Sequence, residues 1–388
     1  MLNRASQPIA NLYIHVPFCA RKCAYCAFYS EVGSASLIER YVAALIREIQ
    51  LVSHDLQPRT VFFGGGTPSL LNLRQWERIL RAVARLHEGG GSEWTVECNP
   101  ASVSLDKARL FRAHGVNRVS LGVQSLNEDL LNRLGRVHDR GTAFKSFDTL
   151  RAAGFTNINL DLMFAIPGQT LAAWRETLTE ATALGSEHLS SYEVTYEEDT
   201  ALFAQLESGQ CAVDEELACS MYEELLGAAA ATGYQQYEIS NFARHSSPEP
   251  NELPDHACQH NVNYWRGGWF YGLGPSATSY VRGVRTRNRA DTQLYCADLE
   301  AGHRSIESCE ELSPLARAGE TAAFGLRMNA GWPFAQFQRV TGWDLRVEWA
   351  QELDLLVERG WGRRDHQRFW LTDRGLRFAD AAAEYFLR

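Results

Sequence analysis

Cys19-Ala-Arg-Lys-Cys23-Ala-Tyr-Cys26 places three cysteines within eight residues, with three and then two positions between them. Thiolates this close together are soft metal ligands. No matching second cysteine pair follows, so the run does not complete the four-ligand set of a closed structural zinc site. Three thiolates suit an iron–sulfur cluster that keeps one iron open to a further ligand. The plain alternative is a group of buried or disulfide-forming cysteines. The stretch before them, Leu12–Val16, is short, apolar and β-branched, and reads as a strand. The cysteines therefore occupy the loop at the carboxyl end of the first strand.

Working outward, the same alternation of strand and helix runs through the first half of the chain. Leu12–Val16, Thr60–Phe63, Trp94–Glu97, Arg118–Gly122, Asn157–Asp161 and Leu189–Val194 read as strands. Ile38–Leu51, Leu73–Leu86, Asp106–Ala113, Thr142–Ala153, Leu171–Leu184 and Glu216–Ala231 read as amphipathic helices. Alternation at this spacing means parallel βα units, and six of them predict an α/β fold, a partial (β/α)6 barrel of TIM type. No G-x-G-x-x-G follows the first strand, which counts against a dinucleotide-binding sheet. In a parallel barrel the working loops leave the carboxyl ends of the strands, and Cys19, Gly65, Glu97, Gln124 and Asp161 are all predicted at or just past such ends.

The chain has 388 residues, 45% hydrophobic and 22% charged, enough for one large domain and a smaller one. The predicted division is a barrel over 1–243, connecting loops over 244–311 and a C-terminal unit over 312–388. Arg244–Asp255 is rich in proline and polar residues and reads as a surface loop. Beyond Leu312, three helical patterns, a hairpin near Gly360–Thr372 and a closing helix Arg374–Leu387 look like a winged helix, here an appended docking or lid unit. The net charge of −9 argues against nucleic acid as a partner. No apolar run reaches membrane-spanning length and no signal-peptide core follows Met1. Nine cysteines, six of them scattered, suit a reducing cytoplasm.

Phe63-Gly64-Gly65-Gly66-Thr67-Pro68 ends the second strand. Three glycines let backbone approach a ligand, and their N–H groups can hold a carboxylate; a tight turn is the plainer reading. Glu97, Gln124, Arg136 and Asp161 each put a polar group near a strand end, and for any one of them capping or loop hydrogen bonding would suffice.

Taken together, the cysteine run, its flanks Tyr13-Ile-His15-Val-Pro-Phe18 and Phe28, and the glycine segment resemble the radical S-adenosylmethionine enzymes. That resemblance implies a 4Fe–4S cluster on Cys19, Cys23 and Cys26, with S-adenosylmethionine held by Gly65, Gly66 and Thr67. Glu97, Gln124, Arg136 and Asp161 match the cofactor-contacting set of the oxygen-independent coproporphyrinogen oxidases and their relatives. Tyr13 matches a cofactor-contacting tyrosine there, and Tyr25 a ring between cluster cysteines.

Val123-Gln-Ser125, Leu134-Gly-Arg136, Tyr237-Glu-Ile-Ser-Asn-Phe-Ala243 and His260-Asn-Val-Asn-Tyr264-Trp265 resemble the haem chaperone branch, HemW, over roughly residues 10–340. The oxidases usually carry a fourth cysteine where this chain has Phe28. The chaperones commonly have aspartate where it has Ala27, and an insertion precedes His260. The resemblance implies haem as a further ligand and haem-free acceptor proteins, membrane-associated ones included, as partners. It implies no residue in a catalytic role. It makes His260 the candidate haem ligand, with Tyr264 and Trp265 against the porphyrin face; a hydrogen-bonded core histidine is the alternative. The rival functions are an oxygen-independent porphyrinogen oxidase and a radical methyltransferase.

Overall fold

The computed structural model describes residues 7–86, 91–245 and 253–388; most of the predicted surface loop 244–255 lies outside them. Six parallel strands in sequential order form the barrel wall: β1 (Ile9–Val16), β2 (Leu56–Gly65), β3 (Glu93–Cys98), β4 (Arg118–Gln124), β5 (Ile158–Phe164) and β6 (His188–Glu193). The helices between them are α1 (Ala35–Val52), α2 (Leu73–Ala84), α3 (Leu105–Ala113), α4 (Glu128–Leu134), α5 (Arg140–Ala152) and α6 (Leu171–Ala183). Past β6 come α7 (Ala201–Glu207) and α8 (Glu215–Ala231). Most open on a short polar N-cap whose side chain accepts from the first turn, as Ser34 does from Leu37 and Asn72 from Gln75.

Alternation along the strands gives the barrel an apolar outer face and a polar interior. Leu12, Ile14, Val61, Phe63, Val96, Val119, Leu121, Ile158, Leu160 and Leu189 face the helices and form the main core with Trp76, Phe111 and Trp174. The intervening positions, among them Tyr13, Phe62, Glu97, Ser120, Asp161 and Ser190, face inward.

The sheet is larger than predicted, with nine strands in the order β7-β8-β6-β5-β4-β3-β2-β1-β9. A hairpin of β7 (Tyr234–Glu238) and β8 (Asn241–Arg244) adds antiparallel to β6, and after α9 (Gln259–Trp265) the short β9 (Tyr271–Leu273) adds parallel to β1. The region predicted as connecting loops also holds a second sheet, β10 (Thr278–Val281), β11 (Val284–Asn288) and β12 (Ile306–Glu311), with α10 (Thr292–Glu300) before its last strand. The fully buried Glu48 of α1 ties this region to the barrel. It accepts from Gly274 N–H, Asn288 Nδ2 and Tyr295 Oη, each at 2.8 Å, and from Arg304 Nε at 3.2 Å.

The C-terminal unit is a small helical domain with its own core around Trp332, Phe337, Trp349, Leu353 and Phe369. Its helices are α11 (Pro314–Gly325), α12 (Phe334–Thr341), α13 (Leu345–Glu348) and α14 (Ala350–Glu358), one more than predicted. A three-stranded sheet of β13 (Trp332–Pro333), β14 (Gly362–Arg364) and β15 (Arg368–Leu371) forms the wing. The closing helix is broken: α15 (Asp373–Arg377) and α16 (Ala379–Glu384) meet at Phe378, whose φ of −114° and ψ of 26° leave the helical region. Among the described residues no helix is long and apolar enough to cross a membrane.

Candidate functional site

At the carboxyl end of β1 the chain leaves the sheet and returns on itself. Phe18 is fully buried edge-on against Tyr41, with ring centroids 5.2 Å apart. Cys19 N–H donates to Glu31 O at 3.0 Å and Glu31 N–H to Pro17 O at 2.8 Å, closing the base of the loop. Its far side rests on α4 and α7, through Ala24 N–H to Leu134 O (3.0 Å) and Leu202 N–H to Ala24 O (2.8 Å). Cys19, Cys23 and Cys26 are thus held by backbone bonds, all partly buried and all free thiols. Thr67 Oγ1 donates to Cys19 Sγ and Arg136 Nη1 to Cys23 Sγ, each at 3.5 Å. Burial raises the Cys26 thiol pKa, and the neighbouring cysteines add to the rise.

The glycine segment lies beside this loop, but its amides do not form the anion cradle predicted from sequence. Gly66 N–H donates to Val16 O and Thr67 N–H to Phe18 O, both at 2.8 Å, while Gly65 N–H bonds the Glu97 carboxylate. Those donors are spent within the protein. The glycines are required by the protein too. Gly65 has φ +109°, and a Cβ there would stand 2.6 Å from the His15 ring; one on Gly66 would stand 2.8 Å from Phe18 O. The segment clamps the root of the cysteine loop, and what remains to offer a ligand is carbonyl oxygen, an acceptor for an ammonium.

Below the loop the barrel interior gathers the other predicted residues. Glu97 lies one residue before the end of β3, and Gln124 ends β4 with φ +66°. Arg136 follows the left-handed Gly135 that ends α4 and donates from Nη2 to Gly122 O at 2.7 Å. Asp161 departs from its predicted place at a strand end: β5 runs on to Phe164, so the carboxylate sits mid-strand, deeper in the barrel. Ser120 Oγ holds Asp161 Oδ2 at 2.9 Å and Asn159 Nδ2 holds Oδ1 at 2.7 Å. Burial, reinforced by Asp161, raises the Glu97 pKa to about 8; burial raises that of Asp161 to about 6, against Ser120, Asn159 and two arginines. Tyr25 packs beside Leu134 and Met163 and hydrogen-bonds Arg136; Tyr13 bonds His15 Nδ1 at 3.1 Å and stacks on Phe62. Arg118, Ser120 and Asn159 belong to this interior and were not singled out from sequence, although polar residues at every second strand position were the available signal.

These residues fit a three-thiolate iron–sulfur cluster with a polar cofactor beneath it. The three thiols share one loop, the Arg136 guanidinium offsets thiolate charge beside Cys23, and Arg136 Nε is buried without a partner among the described residues.

His260 lies elsewhere. It sits in α9, which closes the amino end of the barrel, where Glu93 takes the place of an N-cap side chain and accepts from Gln259 N–H (2.9 Å) and His260 N–H (3.1 Å). Thr60 Oγ1 donates to Asn11 Oδ1, so His260 Nδ1 donates to Thr60 (2.7 Å) and Nε2 accepts from Tyr264 Oη (2.7 Å). The ring is fully buried, stacked on Phe62 at 5.2 Å, and burial followed by the Arg118 charge lowers its pKa to about 3. Both nitrogens are engaged, so the expected iron ligand is instead a core histidine in this arrangement. Cys258 is likewise buried, with its thiol on Glu93.

The partial barrel with its three-cysteine loop defines a radical S-adenosylmethionine protein. The radical SAM superfamily model matches residues 13–181, and that of the HemN C-terminal domain matches 312–378. The solved HemN coproporphyrinogen III oxidase of Escherichia coli superposes with a TM-score of 0.83 over 98% of this chain and 90% of that one; at 21% identity this speaks for the fold alone. The chain is 32% identical to the haem chaperone HemW of Lactococcus lactis over 97% of each protein. It is 33% identical to that of Bacillus subtilis over 94% of this chain and 96% of the relative. It belongs to the HemW family.

Proposed function

We propose that this protein is a haem chaperone, binding haem and handing it to haem-free acceptor proteins, membrane-associated ones among them. The observation that carries this is the near full-length identity to relatives that bear that name. Phe28, 69% exposed where the oxidases carry a fourth cysteine, favours it over porphyrinogen oxidation. We further propose that Cys19, Cys23 and Cys26 hold a 4Fe–4S cluster. S-adenosylmethionine then lies below it, with its ammonium toward the Gly65–Thr67 carbonyls and Tyr13, Tyr25, Glu97, Gln124, Arg136 and Asp161 around it.

When bound, the cluster and S-adenosylmethionine together supply one-electron chemistry. The chain's own part is to fix the loop, to offset thiolate charge with Arg136, and to keep Glu97 able to hold a proton near neutral pH. The nine free thiols are in keeping with a reducing, cytoplasmic setting, and the separate C-terminal core with a division near residues 243 and 311.

The test is to load anaerobically reconstituted protein with haem, mix it with a haem-free haem protein, and follow the acceptor's Soret band. In parallel, coproporphyrinogen is supplied with reductant and S-adenosylmethionine. Transfer without decarboxylation is expected; many turnovers to protoporphyrinogen would overturn the reading.

A further inference from the structure

Beyond the buried His260, α9 lines through Tyr264 and Trp265 a cavity of about 260 Å³ between α9, the β10–β11 hairpin and α11. Tyr264, Trp265, Phe270, Tyr280, Thr321 and Phe324 form its walls. Tyr264 and Phe270 meet edge to face at 4.5 Å, and Trp265 stands 6.4 Å from Phe324, which is 49% exposed. The glycines at the turn after α9 keep the slot open. Gly267 has φ +65° and approaches Thr321, where a Cβ would stand 2.7 Å from the threonine methyl.

Charge is arranged at one edge. Arg285 is matched by Glu310 at 2.5 Å and Glu320 at 2.6 Å. One turn before Glu320 on α11, Arg317 lies against Gly283 with its charge felt at Tyr280, and among the described residues no carboxylate forms an ion pair with it. Arg317, Thr321 and Phe324 fall at i, i+4 and i+7, one face of α11. The lining contains no histidine, cysteine or methionine.

We propose that this groove is where the protein carries haem, gripping the macrocycle by its aromatic faces and a propionate rather than through the iron. This rests on the haem-chaperone reading above. A flat, largely apolar ring bearing carboxylates on one edge matches an aromatic slot with a spare arginine at its rim. The cavity falls below the ~300–1,000 Å³ of pockets that enclose a ligand, so the ring is half inserted and its outer edge stays open to a recipient. Without an imidazole bond the iron's axial positions remain available to the acceptor. The groove adjoins β1 near Leu12, where β9 pairs just after Phe270, whereas the cysteine loop leaves the strand after Val16.

The test is haem titration, followed by absorbance, of wild type, Phe324→Glu, Thr321→Trp, Arg317→Glu and a triple alanine variant of Cys19, Cys23 and Cys26. Folding is checked by circular dichroism. Phe324→Glu and Thr321→Trp are expected to weaken binding at least tenfold, Arg317→Glu at least threefold, and the cysteine variant not at all. Iron-free protoporphyrin IX is expected to bind wild type within tenfold of haem. Folded groove variants that bind haem like wild type would overturn the proposal, as would a loss of more than tenfold on removing the iron. Phe324→Glu that changes only the sedimentation of the protein would make the groove a self-association surface and also overturn it. A wild type that takes up no haem at all would instead refute the chaperone reading itself.

Discussion

Replacing Gly66 by alanine separates two roles that a glycine beside a cofactor can have. The added Cβ would stand 2.8 Å from Phe18 O and 3.0 Å from both Phe18 N and Pro17 C. These are backbone atoms at the root of the cysteine loop, pinned by the 2.8 Å bonds from Gly66 to Val16 and from Thr67 to Phe18. No flexible side chain is available to swing aside, so the loop root itself must shift by about half an ångström to reach an ordinary carbon–oxygen contact. Overpacking of this kind costs about 1–3 kcal/mol. In a chain this long that lowers the melting temperature by only a few degrees. The displaced segment leads directly into Cys19, however, so iron retention is expected to suffer more than global stability. The assay is iron per chain after anaerobic reconstitution, beside S-adenosylmethionine affinity and thermal unfolding of the metal-free protein. Expected are a small drop in melting temperature and a joint loss of iron and cofactor binding, larger in Gly66→Val. Full iron content and unchanged stability with only cofactor binding lost would refute the reasoning, since the glycine would then serve the ligand and not the loop.

Three further outcomes follow from the same geometry. Alanine at Cys19, Cys23 and Cys26 together should abolish the brown anaerobic chromophore, and four irons per chain in that variant would remove the cluster assignment. Burial raises the carboxyl pKa of Glu97 to about 8 and of Asp161 to about 6, so the folded protein without cofactor binds protons that the unfolded chain has released. Its stability should therefore fall as pH rises from about 4 through 8, and Glu97→Gln should flatten the upper part of that decline; equal slopes in thermal melts across this range would contradict it. His260→Ala should cost about 2–4 kcal/mol by denaturant unfolding, because it opens a cavity beside Phe62 and strands the Thr60 and Tyr264 hydroxyls. The haem spectrum of the folded fraction should be unaltered, and a Soret shift without loss of stability would restore the histidine as an iron ligand.

What could be read from the sequence depended on how local the signal was. The cysteine loop and the six parallel units announce themselves within a few residues of each element, through spacing and through apolar runs bounded by polar turns. The mid-strand place of Asp161 is hidden because a carboxylate inside Leu160-Asp161-Leu162-Met163-Phe164 looks like a strand's end, although no breaker follows it. The glycine triplet suggests open space by its composition, whereas the space is filled by His15 and Phe18, residues about fifty positions away. The second sheet escaped because its strands are short and β12 is exposed along its whole length, leaving no buried face to give a periodic pattern.

The segment His260–Trp265 shows how one short helix serves both the barrel floor and the groove beside it. In a helix, residues four apart share a face, so His260 and Tyr264 lie together on α9. His260 goes inward with Val262, and its imidazole is the bridge by which Thr60 and Tyr264 satisfy each other across the barrel floor. That bridge fixes the Tyr264 ring, whose edge meets Phe270 and whose remaining surface faces the groove beside Trp265. The histidine then acts on haem only through the tyrosine it holds. If the groove carries the macrocycle, substitutions at His260 should weaken uptake in proportion to the folding they disturb, while those at Phe324 should weaken it with folding intact.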